Sequence, residues 1–169
     1  MLTNCRMIKS LFFAWCSLAV LLPACKIDHR CKYKPEPVFA AGLPHITAYN
    51  FEVQGAQSLE SVLLDGKVLL EIHQEVCDQT RQEFRFTVPG DRSQVADSMW
   101  LKEAARQMVV LSALSPKQSP LKAWGDVIES RRTELKLGQE LQVQAGITVR
   151  VDRVLSPEQS VLLVVLKQE

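Results

Sequence analysis

The 169-residue sequence carries almost no net charge: twenty lysines and arginines stand against nineteen aspartates and glutamates, a balance of +1. That supplies no broad positive field for gripping a phosphate backbone, so no nucleic-acid partner is expected. Histidine is scarce, with three residues scattered at 29, 45 and 73. There is no GxSxG elbow, no GxxxxGKS/T phosphate loop, no GxGxxG turn and no HExxH pair. These are the commonest nucleophile, nucleotide and metal signatures, and a His-dependent acid–base site has little to draw on. Asparagine occurs only at 4 and 50, and neither opens an Asn-x-Ser/Thr sequon. No uncharged run reaches the roughly 20 apolar residues that a bilayer-spanning helix needs. With 47% hydrophobic and 23% charged residues, the chain has the composition and size of one globular domain.

What is present begins with residues 1–25. Arg6 and Lys9 precede Leu11–Ala24, fourteen residues without a charge, and the run ends in Leu22-Pro23-Ala24-Cys25. These are the proportions of the positive and apolar regions of an export signal, with Met1 or Met7 as its start. Leu22-Pro23-Ala24-Cys25 resembles the lipobox of bacterial lipoproteins, with leucine at −3, a small residue at −1 and cysteine at +1. Pro23 departs from the usual residue at −2. The resemblance covers residues 1–25 alone. It implies removal of 1–24, a diacylglycerol on the Cys25 sulfur, and attachment through that lipid to a membrane of the bacterial cell envelope. Lys26 stands where many inner-membrane lipoproteins carry aspartate, which points to the outer membrane. The competing readings are a secreted or periplasmic soluble protein cut after Ala24, and an uncleaved anchor.

Loss of 1–24 takes Cys5 and Cys16 and leaves Cys25, Cys31 and Cys77. Lipid on Cys25 leaves one pair, which should close in an oxidising compartment. A Cys31–Cys77 bridge spans about 47 residues, worth roughly 4 kcal/mol if it acts by restricting the unfolded chain. Residues 25–44 read as a tether. They carry charges at Lys26, Asp28, Arg30, Lys32 and Lys34, prolines at 35, 37 and 44, and little periodicity. The basic cluster reads as a solvated stalk beside the lipid headgroups.

Residues 45–169 read as a single domain. Thr47, Tyr49, Phe51 and Val53 alternate as in a strand. Leu59–Leu64 fits either a strand, turned through Asp65-Gly66, or a helical turn. Val68, Leu70, Ile72 and Val76 alternate, as do Phe84, Phe86 and Val88, predicting a hairpin with Cys77 near its tip. Asp91 and Gln94 resemble a capping box, predicting a helix over 92–114. Trp100, Leu101, Ala104, Met108 and Leu111 form its apolar stripe, with Lys102, Glu103, Arg106 and Gln107 opposite. Ser119-Pro120 opens a second helix that Gly138 ends, with Leu121, Trp124, Val127, Ile128 and Leu135 inward. Leu141–Ala145 and Ile147–Val151 alternate again, and the parity break at Val154-Leu155 predicts a bulge. Val161–Leu166 is apolar without interruption, as in a strand covered on both faces. The fold class is α+β: an antiparallel sheet built from a β-hairpin, two helices and a C-terminal β-meander, with the helices on one face.

Candidate chemistry is thin. His73 shares a strand face with Glu71 and Glu75 at spacings of about 7 Å, which a solvent-facing strand also produces. His29, Cys31, His45 and Cys77 are irregularly spaced for zinc, and a disulfide accounts for both cysteines more simply. No catalytic residue, metal or cofactor is therefore expected. Trp100, Met108 and Trp124 are the candidate lining of a pocket for a small hydrophobic ligand or lipid. Val161–Leu166 is either a buried strand or an exposed surface that invites a partner. The expected function is that of a non-enzymatic envelope lipoprotein, a structural or assembly accessory acting by contact with an envelope protein. A periplasmic ligand-binding module ranks second and a hydrolase third.

Overall fold

Seven strands join in one antiparallel sheet in the order β1-β2-β3-β4-β7-β6-β5. The computed structural model describes residues 31–169 apart from 32 and 78. The strands are β1 (Ile46–Gln54), β2 (Gln57–Leu64), β3 (Val68–Val76), β4 (Thr80–Pro89), β5 (Glu140–Gln144), β6 (Ile147–Leu155) and β7 (Gln159–Gln168). Helices α1 (Asp97–Ala113) and α2 (Pro120–Ser130) separate β4 from β5, with a short 3₁₀ turn at Pro116–Gln118 between them. The fold is α+β.

The N-terminal half is a four-strand meander rather than a lone hairpin. The ambiguous Leu59–Leu64 segment is β2, turned into β3 by Asp65 and Gly66 at φ 48° and 66°. Both residues thus occupy the left-handed region, in a three-residue connection whose Lys67 amide donates to the Leu64 carbonyl. The chain then crosses through the helices to the far edge and returns, so β7 lies beside β4. These two central strands pair in continuous register from Thr80↔Gln168 to Pro89↔Gln159.

One face of the sheet carries Val62, Leu70, Ile72, Phe84, Phe86, Leu162, Val164, Val149 and Val151, all buried. They form one cluster with Trp100, Leu101, Ala104, Met108 and Leu111 of α1 and Leu121 and Ile128 of α2. Helix α1 lies against β6 and β7, and α2 packs on α1. Gly125 of α2 permits the close approach: a Cβ there would stand 2.8 Å from the Ala105 carbonyl oxygen and from Val109 Cγ2.

Several local expectations need correction. Helix α1 starts at Asp97, not at 92, and its N-cap Ala96 makes no side-chain cap bond. The Asp91 carboxylate instead accepts from the Ser93 amide, 2.8 Å away. What holds the helix start is Arg153 of β6, which donates to Asp97 Oδ1 at 2.6 Å and to the Val95 carbonyl at 3.4 Å. Gln107, expected on the polar side, is buried and donates to Glu103. Helix α2 ends at Ser130, well before Gly138, although Leu135 beyond it is buried. There is no bulge at Val154-Leu155, because β6 stays in register with β7 through Leu155↔Ser160. The parity break is instead a 56%-exposed Val154 on the sheet face that carries no helix.

Candidate functional site

Cys31 and Cys77 form a disulfide, with Cα atoms 4.8 Å apart. Cys77 sits at the β3–β4 tip, so the bridge fastens the start of the described chain to that end of the sheet. Both thiols are consumed, which removes the zinc arrangement of Cys31 and Cys77 with His45; His29 lies outside the described residues. Among the described residues no group of three His, Cys, Asp or Glu side chains is placed to hold a metal ion.

The expected tether is docked over part of its length. Val38 and Phe39 are buried members of the core. Their amides donate to the two oxygens of Glu60, at 2.6 and 2.8 Å. Gln118 donates to the Val38 carbonyl, Tyr49 to the Phe39 carbonyl and Gln74 to the Glu36 carbonyl. Glu60 projects from β2 to the helix side of the sheet and is fully buried. Burial pushes its carboxyl above the usual range, and the Phe39 and Val38 amides, Tyr49 and Lys117 pull it back. A buried carboxylate is costly unless bonded, and here two backbone amides supply the bonds. This clamp is structural. No motif in the sequence announces it; the only sign is Glu60 on the inward parity of an otherwise apolar strand.

Trp100 and Met108 are packed into the core and Trp124 is half-buried against it. A cleft of about 320 Å³ lies between Pro35–Val38, the β3–β4 end and the 3₁₀ turn. A second, of about 370 Å³, lies between β1, β2 and β3 and is lined by Glu52, Gln57, Leu59, His73, Glu75 and Arg81. None of the three expected pocket residues lines either cleft.

The second cleft opens on the face away from the helices, where the charged residues gather. By register, Glu71, His73 and Glu75 of β3 stand beside Arg85, Glu83 and Arg81 of β4. Glu83 is buried between the two arginines and accepts from both, from Arg85 at 2.6 Å. Burial raises its carboxyl, but Arg85 and Arg81 outweigh burial and hold it below the usual glutamate range. Burial and then the Arg85 charge lower His73, keeping the imidazole neutral. Its Nε2 is buried without a hydrogen-bond partner. Glu83 is committed to its arginines, and Ser58 points by strand alternation to the opposite face from His73. Ser61, Glu71 and Glu75 share the face of His73, and no hydrogen bond joins any of them to the imidazole Nε2.

The same face is apolar at its other end. Leu63, Leu69, Thr87, Val161 and Val154 form one cross-strand row. Leu163 and Val165 of β7 project beside it, and Leu69 is 39% exposed. Among the described residues no helix covers this face, so the unbroken Val161–Leu166 run has a packed layer on one side only.

The fold and its surfaces thus define a two-layer α+β domain with a disulfide-fastened N-terminal segment and one uncovered sheet face. No protein-family profile, curated protein or solved structure matches the chain. Among the described residues no helix is long and apolar enough to cross a membrane.

Proposed function

We propose that this chain is a bacterial envelope lipoprotein, anchored by lipid on Cys25, that acts as a non-enzymatic structural or assembly accessory. The observation that carries the reading is the lipobox-like Leu22-Pro23-Ala24-Cys25 followed, six residues later, by a cysteine bridged to the folded domain. The export signal and Cys25 lie outside the described residues. A bridge in place of free thiols supports an oxidising compartment. Six residues reach at most about 20 Å, so an anchor on Cys25 holds the β3–β4 end of the sheet next to the bilayer. Two acyl chains make such anchoring stable where one is marginal.

The accessory role draws its support from surfaces. Trp100 and Met108 are spent on packing, which speaks against a hydrophobic ligand held between helices and sheet. The uncovered face offers apolar and charged side chains for protein contact instead. In the test, the wild-type chain should pellet with membranes and enter the detergent phase, while Cys25→Ser should accumulate as unprocessed precursor. A Cys25→Ser variant that is cleaved and pellets as before overturns lipidation. Crosslinking in the native envelope then identifies the partner.

A further inference from the structure

We propose that the helix-free face of the sheet is the contact surface of a homodimer, with a two-fold axis parallel to the strands and lying between β3 and β4. The proposal deepens the accessory reading, on which only its argument from the anchor rests.

Three observations meet on this face. First, β7 is apolar at six consecutive positions, a pattern suited to strands buried on both sides. In the single chain its Val161 and Leu163 stay partly exposed, next to exposed Leu69 and Val154. Second, charge is sorted by strand. Glu71 and Glu75 make β3 acidic, and among the described residues neither is in a salt bridge. Arg81 and Arg85 share the single carboxylate Glu83, which leaves β4 with an excess of positive charge. Third, these features share one register.

A rotation about an axis along the strands between β3 and β4 lays the partner's β4 over β3 and the partner's β7 over β2. Glu75 then faces the partner's Arg81, Glu71 faces the partner's Arg85, and Leu63 faces the partner's Val161. Further out, Glu52 faces the partner's Arg150, whose Nε is buried without a hydrogen-bond partner in the single chain. Every contact occurs twice, as an isologous interface requires, and apolar end meets apolar end. An axis across the strands does the reverse, setting Glu71 over Glu75 and Arg81 over Arg85. Stacked sheets cross at about 30°, which preserves the facing near the axis.

Area and anchor agree. At about 4.8 Å between strands and 3.3 Å per residue, the four strands nearest the axis (β2, β3, β4 and β7) offer about 600 Å², and the six strands that the axis pairs offer about 850 Å². A standard interface takes about 800 Å² per partner. An axis along the strands also leaves both Cys77 tips at the same end, so lipids on both Cys25 residues enter one leaflet.

The test is sedimentation equilibrium of the full chain in density-matched detergent, with lipid on Cys25 scored by mass on the same sample. Wild type should have twice the chain mass. Leu69→Lys with Val154→Lys should weaken association at least tenfold while circular dichroism and Tm stay unchanged, since both side chains are exposed. Glu75→Arg, which sets arginine against the partner's Arg81, should weaken it too, and more at low salt than at high. A wild-type monomer at roughly 100 µM overturns the dimer, and so does a dimer indifferent to the lysine pair. A lipid-bearing monomer rejects the dimer and keeps the lipoprotein reading; a lipid-free dimer does the opposite.

Discussion

Gly125 and Glu83 are the single residues on which most depends. Alanine in place of a helical glycine ordinarily gains about 1 kcal/mol of propensity. At 125 the added methyl meets the Ala105 carbonyl oxygen, backbone that cannot give way without parting the helices. Gly125→Ala should therefore destabilise the domain by about 1–3 kcal/mol net, read as a lower urea midpoint at unchanged slope. Glu83 governs the acid side of stability. Its folded-state carboxyl titrates below the ordinary 4.5, so the benefit is complete above that value and disappears as pH falls through the lower one. Glu83→Gln should cost about 1–3 kcal/mol at pH 7, and the gap from wild type should narrow on acidification to pH 3. A gap that is constant from pH 7 to pH 3 contradicts the arginine clamp. Glu60 has the opposite sign: its raised carboxyl favours the fold at low pH and disfavours it as pH rises through the folded value. The two should be separable by their pH windows.

Among the elements, the docked segment and α1 show how distant strands set local structure. The segment from Cys31 to Phe39 is held at one end by the disulfide and at the other by Glu60, with Gln74 and Gln118 between. Replacing Cys77 by serine, with Cys31 also changed to prevent mispairing, should cost about 2–5 kcal/mol. Hydrogen exchange should rise first in β3–β4 around the tip, while the β6–β7 ladder stays protected. Uniform loss of protection argues against local fastening. Helix α1 follows the same logic. Its local capping signal at Asp91 is diverted into a tight turn, and the helix begins where Arg153 of β6 reaches Asp97, whose carboxylate, though not the arginine, is favoured by the positive end of the helix dipole.

The whole molecule needs its N-terminal segment. A chain trimmed to residues 43–169 keeps every strand and helix but loses Val38 and Phe39 from the core and leaves Glu60 without its amides. It should be less stable than residues 31–169 by about 5–10 kcal/mol, the sum of the lost Cys31–Cys77 bridge and an emptied aromatic site. Equal denaturation midpoints for the two fragments would count against the clamp. The longer fragment should show no turnover of ester, peptide, glycoside or phosphoester substrates, because no serine or cysteine nucleophile is paired with His73. Turnover that survives repurification and is abolished by one polar substitution overturns the non-enzymatic reading.

Alternation and turn chemistry are local, and on them the sequence by itself determined the α+β class, the strands around Leu70, Phe84 and Val149, the apolar stripe of α1, the Asp65-Gly66 turn and the pairing of Cys31 with Cys77. Periods of 2 and 3.6 report which way neighbouring side chains point, and the cysteine pair followed from what the lipobox resemblance implies for the other three thiols. The tertiary structure alone decided what lies across space: that Leu59–Leu64 is a strand, because β1 and β3 pair with both of its edges; that the Pro-rich residues 35–39 dock, because Glu60 is buried beneath them; that Trp100 and Met108 fill a core instead of lining a cleft. It also decided that Val154 and the outer side of β7 share an uncovered face. An apolar side chain reads the same in sequence whether its neighbour is a helix of its own chain or a surface still to be met, since burial is a property of the packed layers and not of the strand.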